Sequence, residues 1–269
     1  MINYTSKGCS PSSKKTLSLV KREDIPLSTN TTTCNNVINN RFYTKANKLR
    51  LDSLYKEAIK NYLNAILIDR KNANSYYGLG VCYKHLKEYA KAIKYLDIAA
   101  ELDETNYEIF YELGICHLME GIPCGAIKNF IKAIQLDPDN PEAILQLGIA
   151  HELCEEYDLA LMIYQKLIEN SAGFLKAYEH KATLLMKMER YKEAAQILHE
   201  LIKLNPDYNK AYAGLGICLD KLGQSASAQR YYRRFLTKKP FSHSAGFISN
   251  RLDKIKNYKV QKSYLKLCK

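Results

Sequence analysis

The sequence lacks the long apolar runs that membrane proteins and secretory leaders require. No uninterrupted apolar stretch approaches the ~18 residues that a membrane-spanning helix needs. The first residues, MINYTSKGCSPSSKKTLS, also lack the apolar central region of a secretory signal peptide. We therefore expect neither a membrane span nor a secretory leader.

Catalytic and metal-binding motifs are missing as well. The sequence contains no glycine-rich phosphate loop, no Gly-x-Ser-x-Gly and no His-Glu-x-x-His motif. His117 and His151 lie 34 residues apart, but two nitrogen ligands are too few for a zinc site. We expect these imidazoles to line the core or a groove, and we expect no enzyme activity, no cofactor and no bound metal.

What the sequence does contain is a 34-residue pattern that occurs six times between residues 39 and 242. With Tyr107 as position 1 of the third copy, position 8 is glycine or alanine in every copy and position 20 is always alanine. Positions 4 and 24 hold large apolar or aromatic residues. A fixed period of this length is typical of proteins built from stacked repeats. The position-20 alanines are Ala58, Ala92, Ala126, Ala160, Ala194 and Ala228.

Each copy has the apolar spacing of two consecutive helices. In the third copy, Phe110, Leu113 and His117 fall on one helix face, and a second such face follows the break at 121–123. Two short helices cannot bury both faces alone, so each pair must stack on the next. The small residues at positions 8 and 20 would let helices approach closely, beside the large residues at positions 4 and 24. The predicted fold class is all-α, a right-handed α-solenoid of six helix-turn-helix repeats with a C-terminal capping helix.

This pattern resembles the tetratricopeptide repeat. The consensus of that family places Leu-Gly at positions 7–8, alanine at 20, an aromatic residue at 24 and proline at 32. Here positions 7–8 read Leu-Gly in four of the six copies, and position 32 holds Pro138, Pro206 and Pro240. Lys45 and Lys181 depart from the leucine at position 7. The resemblance implies a scaffold that binds other proteins.

The repeat frame divides the chain into three parts. Residues 1–38 are rich in Ser, Thr, Asn and Lys and are predicted to be disordered. The sequence does not decide whether this leader is also a targeting or export signal. Residues 243–269 are predicted to form a basic capping helix and tail, with Phe247, Ile248, Leu252 and Ile255 on its buried face. The repeats between them are 39–72, 73–106, 107–140, 141–174, 175–208 and 209–242.

The cysteines do not form a disulfide or zinc pattern. The chain has 8 cysteines and no Cys-x-x-Cys pair. Cys82, Cys116 and Cys218 share position 10 of their repeats, where the fourth repeat has Ala150. A free cysteine in such a slot behaves as a small buried hydrophobic residue. The sequence therefore favours a reducing, intracellular (cytoplasmic) location.

The basic charge is concentrated at the C-terminal end. The chain carries a net charge of +12, and residues 229–269 contain twelve Lys or Arg and one acidic residue. A terminal cap needs a polar outer surface, so we interpret this end first as a soluble cap. Binding of nucleic acid or an anionic membrane by the same cations is the alternative function. The residues singled out at this basic end are Arg230, Arg233, Arg234, Lys238, Lys239, Arg251 and Lys254.

A partner groove is predicted in the third and fourth repeats. In the family that the chain resembles, positions 2, 5, 6, 9, 12 and 13 of each first helix line a concave face. Here those positions combine apolar and aromatic side chains with four carboxylates, which favours a ligand with apolar anchors and basic flanks. The alternative is that Ile115 and Ile149 pack between helices. The predicted groove residues are Glu108, Tyr111, Glu112, Ile115, Met119, Glu142, Leu145, Gln146, Ile149 and Glu152.

Binding of a heat-shock chaperone tail is not expected. Family members with that function hold its carboxylate with cations in the third repeat of the site, at positions 2 and 6. Those positions hold Glu108 and Glu112 here. The predicted function is a non-catalytic scaffold or adaptor that holds a peptide or helix of another protein in its concave groove.

Overall fold

The computed structural model describes residues 29–238 and 245–256, with side chains described from residue 39 onward. All regular secondary structure in these residues is helical, as predicted. Each repeat contributes two antiparallel helices, and a thirteenth helix, α13, covers 245–256. The other helices are α1 (Thr29–Leu51), α2 (Tyr55–Ile68), α3 (Ala73–His85), α4 (Tyr89–Leu102), α5 (Tyr107–Met119), α6 (Pro123–Leu136), α7 (Pro141–Leu153), α8 (Tyr157–Asn170), α9 (Leu175–Lys187), α10 (Tyr191–Leu204), α11 (Asn209–Lys221) and α12 (Ser225–Lys238).

The chain divides into two compact units between Asp139 and Asn140. The N-terminal unit contains the first three repeats, and α3 packs against both α1 and α5. The C-terminal unit contains repeats 4 to 6 and α13, and α9 packs against both α7 and α11. Within each unit, therefore, the first helices of successive repeats are neighbours and present corresponding positions side by side.

The large residue at position 24 packs directly over the small residue at position 8. A Cβ atom added to Gly216 would lie 2.5 Å from Cδ1 of Tyr232. The rings of Phe130 and Tyr164 lie in the same way over Gly114 and Gly148. All three rings are almost completely buried, so the glycines provide the space that the aromatic core occupies.

Asparagine begins the first helix of repeats 2, 3 and 4. The side chain of Asn72 accepts a hydrogen bond from the Ser75 amide at 2.9 Å, and that of Asn140 accepts one from the Ala143 amide at 3.1 Å. Asn106 caps α5 through the Glu108 amide at 3.0 Å. Each cap satisfies an amide that has no partner inside the helix. Repeats 5 and 6 begin instead at Phe174 and Tyr208, without a side-chain cap.

The turn inside every repeat reverses the chain at position 15 with a positive φ angle. Gly121 and Gly223 hold this position in repeats 3 and 6, with φ of 77° and 76°. The other four repeats place a residue with a side chain there: Ser53, Lys87, Glu155 and Glu189. The following amide donates to the carbonyl at position 11, as from Glu88 to Tyr83 at 2.9 Å, which closes the end of the first helix.

Both ends of the repeat array differ in detail from the sequence prediction. Helix α1 begins at Thr29 and so extends into the leader that was predicted to end at residue 38. At the other end, Ile248, Leu252 and Ile255 are buried as predicted, but Phe247 is 64% exposed. The fourth buried residue of α13 is Ala245, because the buried stripe follows the helical period through 245, 248, 252 and 255. Residues 1–28 and the predicted tail 257–269 lie outside the described residues.

Candidate partner-binding faces

Three tyrosines form a row on the first helices of the N-terminal unit. Tyr43, Tyr77 and Tyr111 occupy position 5 of α1, α3 and α5, and all three are half-buried. The ring of Tyr43 lies 6.3 Å from that of Tyr62, and the ring of Tyr111 lies 6.0 Å from that of Phe130, measured between centroids. Tyr43 and Tyr111 therefore each pack against an aromatic ring of the core. We call Tyr43, Tyr77 and Tyr111 the tyrosine row.

The middle tyrosine lies close to two carboxylates of the next repeat. Burial raises the pKa of Tyr77, and the negative charges of Glu108 and Glu112 together with a hydrogen bond to Glu108 raise it further. Arg50 of the preceding repeat acts in the opposite direction. Tyr77 therefore interacts both with carboxylates of α5 and with a cation of α1.

One predicted groove carboxylate already has a cationic partner. Lys84 Nζ lies 2.7 and 2.8 Å from the two carboxylate oxygens of Glu112. The two side chains are only 20% and 13% exposed, so the pair is largely shielded from water. Glu112 therefore adds little net charge to this face. The sequence analysis did not predict this role of Lys84, although position 12 of one repeat borders position 6 of the following repeat.

The other predicted residues of the third repeat are accessible to different degrees. Glu108 is exposed and Ile115 is half-buried. Met119 is 58% exposed at the end of α5. In the N-terminal unit, the structure thus brings together an exposed carboxylate, an apolar patch and the tyrosine row.

More of the predicted groove residues make contacts within the protein in the fourth repeat than in the third. Leu145 is only 2% exposed, because it packs into the core of the C-terminal unit. The prediction that Leu145 lines the groove is therefore wrong: it is a core residue. Glu142 pairs with Lys176 at 2.6 Å, and Glu152 accepts a hydrogen bond from Tyr164 at 3.3 Å. The remaining two, Gln146 and Ile149, are half-buried.

A cluster of polar side chains continues along the C-terminal unit. Glu179 accepts hydrogen bonds from Lys210, at 2.7 Å, and from the Tyr208 hydroxyl. Burial alone would raise the pKa of Glu179, but these two hydrogen bonds, together with the positive charge of Lys210, outweigh burial and lower it. Burial lowers the pKa of the neighbouring His180. Cations and carboxylates thus bind neighbouring repeats together along this face.

The two histidines singled out in the sequence make local contacts. His117 Nδ1 lies 2.8 Å from the Leu113 carbonyl oxygen, one turn earlier in α5. His151 is buried, with Nδ1 2.6 Å from a carboxylate oxygen of Glu156. Throughout the described part of the chain, no three His, Cys, Asp or Glu side chains are grouped so that they could hold a metal ion.

The cysteines at position 10 are core residues. Cys82, Cys116 and Cys218 are completely buried. Burial raises the pKa of Cys82 and Cys218 to about 11 and that of Cys116 to about 12. These thiols stay protonated at neutral pH, as expected for packing residues.

Several cations of the basic end are already used within the fold. Arg251 pairs with Asp220, and Lys238 with Asp207. The Arg234 guanidinium lies 4.6 Å above the Tyr212 ring. Arg230, Arg233 and Lys254 are exposed and have no ion pair with a described residue, while Lys239 lies outside the described residues. Among the helices that the structure describes, none is both long and apolar enough to cross a membrane.

Family models identify the repeats independently. The models described as "Tetratricopeptide repeat" match residues 73–106 and 185–244, and the model described as "TPR repeat" matches 53–87 and 125–153. Together these segments cover more than half of the chain. The chain is a tetratricopeptide repeat protein. No curated protein sequence matches it.

Solved structures of other tetratricopeptide repeat proteins share this fold. PilW, a widely conserved type IV pilus biogenesis factor, aligns with a TM-score of 0.66 and 18% identity, over 78% of this chain and 98% of PilW. PilF of Pseudomonas aeruginosa aligns with a TM-score of 0.64 and 15% identity, over 81% and 99%. YrrB, a TPR protein with an unusual peptide-binding site, gives 0.57 and 19%, over 71% and 98%. At these identities the likeness shows the fold alone.

Proposed function

We propose that this protein is a non-catalytic scaffold that binds a peptide or helix of another protein on the first helices of its repeats. The observation that carries the proposal is the tyrosine row in the N-terminal unit. Tyrosine offers a large, rigid apolar surface and a polar hydroxyl, and it is enriched at the centres of protein interfaces. Half-buried tyrosines in register on neighbouring helices are suited to anchor residues spaced along a bound segment, since packed helix axes are about 8–10 Å apart.

The chemistry beside the row favours a partner with apolar anchors and basic flanks. Exposed Met119 and half-buried Ile115 extend the apolar surface of Tyr111. Exposed Glu108 supplies the negative charge, since the charge of Glu112 is balanced by Lys84. Like-charge repulsion would reject acidic segments at this point. The fourth-repeat residues Glu142, Gln146, Ile149 and Glu152 remain proposed contacts of the same kind of partner.

The family supports this use of the fold. Tetratricopeptide repeats are generally protein-interaction scaffolds, and the similar structure of YrrB is described as having an unusual peptide-binding site. Binding of a chaperone tail is disfavoured, because Glu108 and Glu112 stand where its carboxylate would need cations. We also propose a reducing, intracellular location, on the basis of the buried thiols at position 10.

Affinity capture from the native cell tests the proposal. The bait is the full chain, compared with Glu108→Lys, Tyr111→Ala and the control Lys128→Glu. Lys128 is exposed on α6 in the same unit, outside the proposed face. A direct partner should be recovered with wild type and control but lose about tenfold or more with either face variant, as at an interface hot spot. Equal recovery with all baits would remove this face from the binding site.

A further inference from the structure

Helix α13 exposes an aromatic side chain that its capping role does not require. Its buried stripe, which includes Ile248 and Leu252, packs into the core of the C-terminal unit. A further helix would pack on the side of α13 that carries Ser249 and Asn250, and these two residues are polar and exposed. Phe247 belongs to neither side and is 64% exposed.

The repeat frame places Phe247 on the same face as the first helices of the C-terminal unit. Counting 243 as position 1, Phe247 has position 5, Arg251 position 9 and Lys254 position 12. These are positions that line the inner face of a first helix. The structure supports this alignment, because Arg251 Nη2 donates to Oδ1 of Asp220 at 3.1 Å, and Asp220 has position 12 of α11. The inner face of this unit therefore continues onto α13.

This face carries an excess of positive charge from α9 to α13. Its two carboxylates are both paired with a cation of the next inner-face helix: Glu179 of α9 with Lys210 of α11, and Asp220 of α11 with Arg251 of α13. Lys187 and Lys221 lie over tyrosine rings at 4.7 and 5.9 Å and, like Lys254, have no ion pair with a described residue. The six cations at inner-face positions are Lys176, Lys187, Lys210, Lys221, Arg251 and Lys254.

We propose that Lys221, Phe247, Arg251 and Lys254, the terminal patch, bind an acidic protein segment that carries one apolar anchor residue. The anchor would pack on Phe247, at position 5, and acidic residues on one side of the anchor would meet Lys254 and Lys221, at positions 12 and 13 near the C-terminal ends of α13 and α11. Opposite charge around an aromatic contact is the arrangement that gives protein interfaces both affinity and specificity. A membrane is a poorer match, because binding at the lipid interface relies on a broader apolar face. This site is independent of the tyrosine row, which favours a partner of opposite charge.

Fluorescence anisotropy with the full chain tests the proposal. The probe is a labelled 12-residue peptide of Asp and Glu around a central leucine, at physiological salt. Phe247→Ala and Lys254→Glu should each weaken its binding about tenfold. Arg233→Glu, an equal charge change at an exposed site of α12, should change the affinity less than twofold. Thermal unfolding should match wild type for all three variants, because the three side chains are exposed.

Three outcomes would overturn the proposal. They are absence of binding to the acidic peptide, an Arg233→Glu effect as large as that of Lys254→Glu, and displacement of the peptide by RNA or anionic vesicles that bind more tightly and depend on Phe247. An equally large effect of Arg233→Glu would show that the peptide responds only to the overall charge of the protein. Displacement by RNA or vesicles would assign the terminal patch to another class of partner. Tyr111→Ala separates this site from the proposed function, because it should leave binding of the acidic peptide unchanged.

Discussion

Replacing one glycine of α11 tests the packing that defines each repeat. At Gly216, a new Cβ would lie 2.5 Å from Cδ1 and 2.6 Å from Cε1 of Tyr232. Carbon atoms pack at about 3.5–4.0 Å, so alanine would overlap the ring by roughly 1 Å. Tyr232 is only 1% exposed, so core residues surround its ring and would have to shift with it. We expect Gly216→Ala to strain the core of the C-terminal unit.

Gly214 provides the matched control in the same helix. A Cβ there would lie 3.1 Å from Cδ1 of Leu198, the end of a flexible side chain that can shift slightly. Both substitutions gain about 1 kcal/mol of helix propensity, so this gain cancels in the comparison. The difference in stability then isolates the packing strain, which is about 1–3 kcal/mol for an overpacked core.

Thermal unfolding followed by circular dichroism measures this difference. At roughly 4 °C per kcal/mol for a unit of this size, Gly216→Ala should unfold roughly 4–12 °C below Gly214→Ala. Equal unfolding temperatures would refute the claim that the position-24 ring packs tightly against position 8.

Three further predictions follow from the same structure. Ala160→Leu overpacks a completely buried position 20 and should lower the free energy of unfolding, measured by chemical denaturation, by about 1–3 kcal/mol. The control Met162→Leu, at a 44% exposed residue of the same helix, should change it by less than about 0.5 kcal/mol. Glu189→Gly should raise the unfolding temperature, because glycine adopts the φ of 59° without the left-handed penalty of about 1–2 kcal/mol; a lowered temperature would contradict this. Burial lowers the pKa of His180 in the folded protein, so the unfolded state binds more protons at this side chain once the pH falls below the ordinary histidine pKa of about 6.5. The free energy of unfolding should therefore decrease as the pH is lowered from about 7 to about 5, and His180→Gln should flatten this dependence.

Much of the fold could be predicted because the repeat period constrains it. Small residues at position 8 and large residues at position 24 indicated the close contact seen at Gly216 and Tyr232. Asn140 followed by Pro141 marked the start of α7, where both act as predicted. The break at 121–123 located the turn of the third repeat, but the positive φ at position 15 of every repeat was not predicted, because four repeats place a residue with a side chain there.

The candidate site was harder to predict, because it depends on contacts between repeats. Lys84 and Glu112 are 28 residues apart, so their pairing depends on how helices from neighbouring repeats pack. Leu145 has the same position 5 as exposed Phe247, yet it is buried. The register gives the face of a helix, whereas the neighbouring side chains decide whether a residue on that face is accessible.

Site-specific cross-linking of the captured partner shows whether a protein segment binds at the tyrosine row. A photoreactive amino acid would replace Tyr111 on the tyrosine row or, as control, Lys128 on α6, and mass spectrometry would identify the attached segment. We expect a cross-link from position 111 only, to a segment with apolar residues flanked by Lys or Arg. Equal cross-linking from position 128, or an acidic segment attached at position 111, would contradict it.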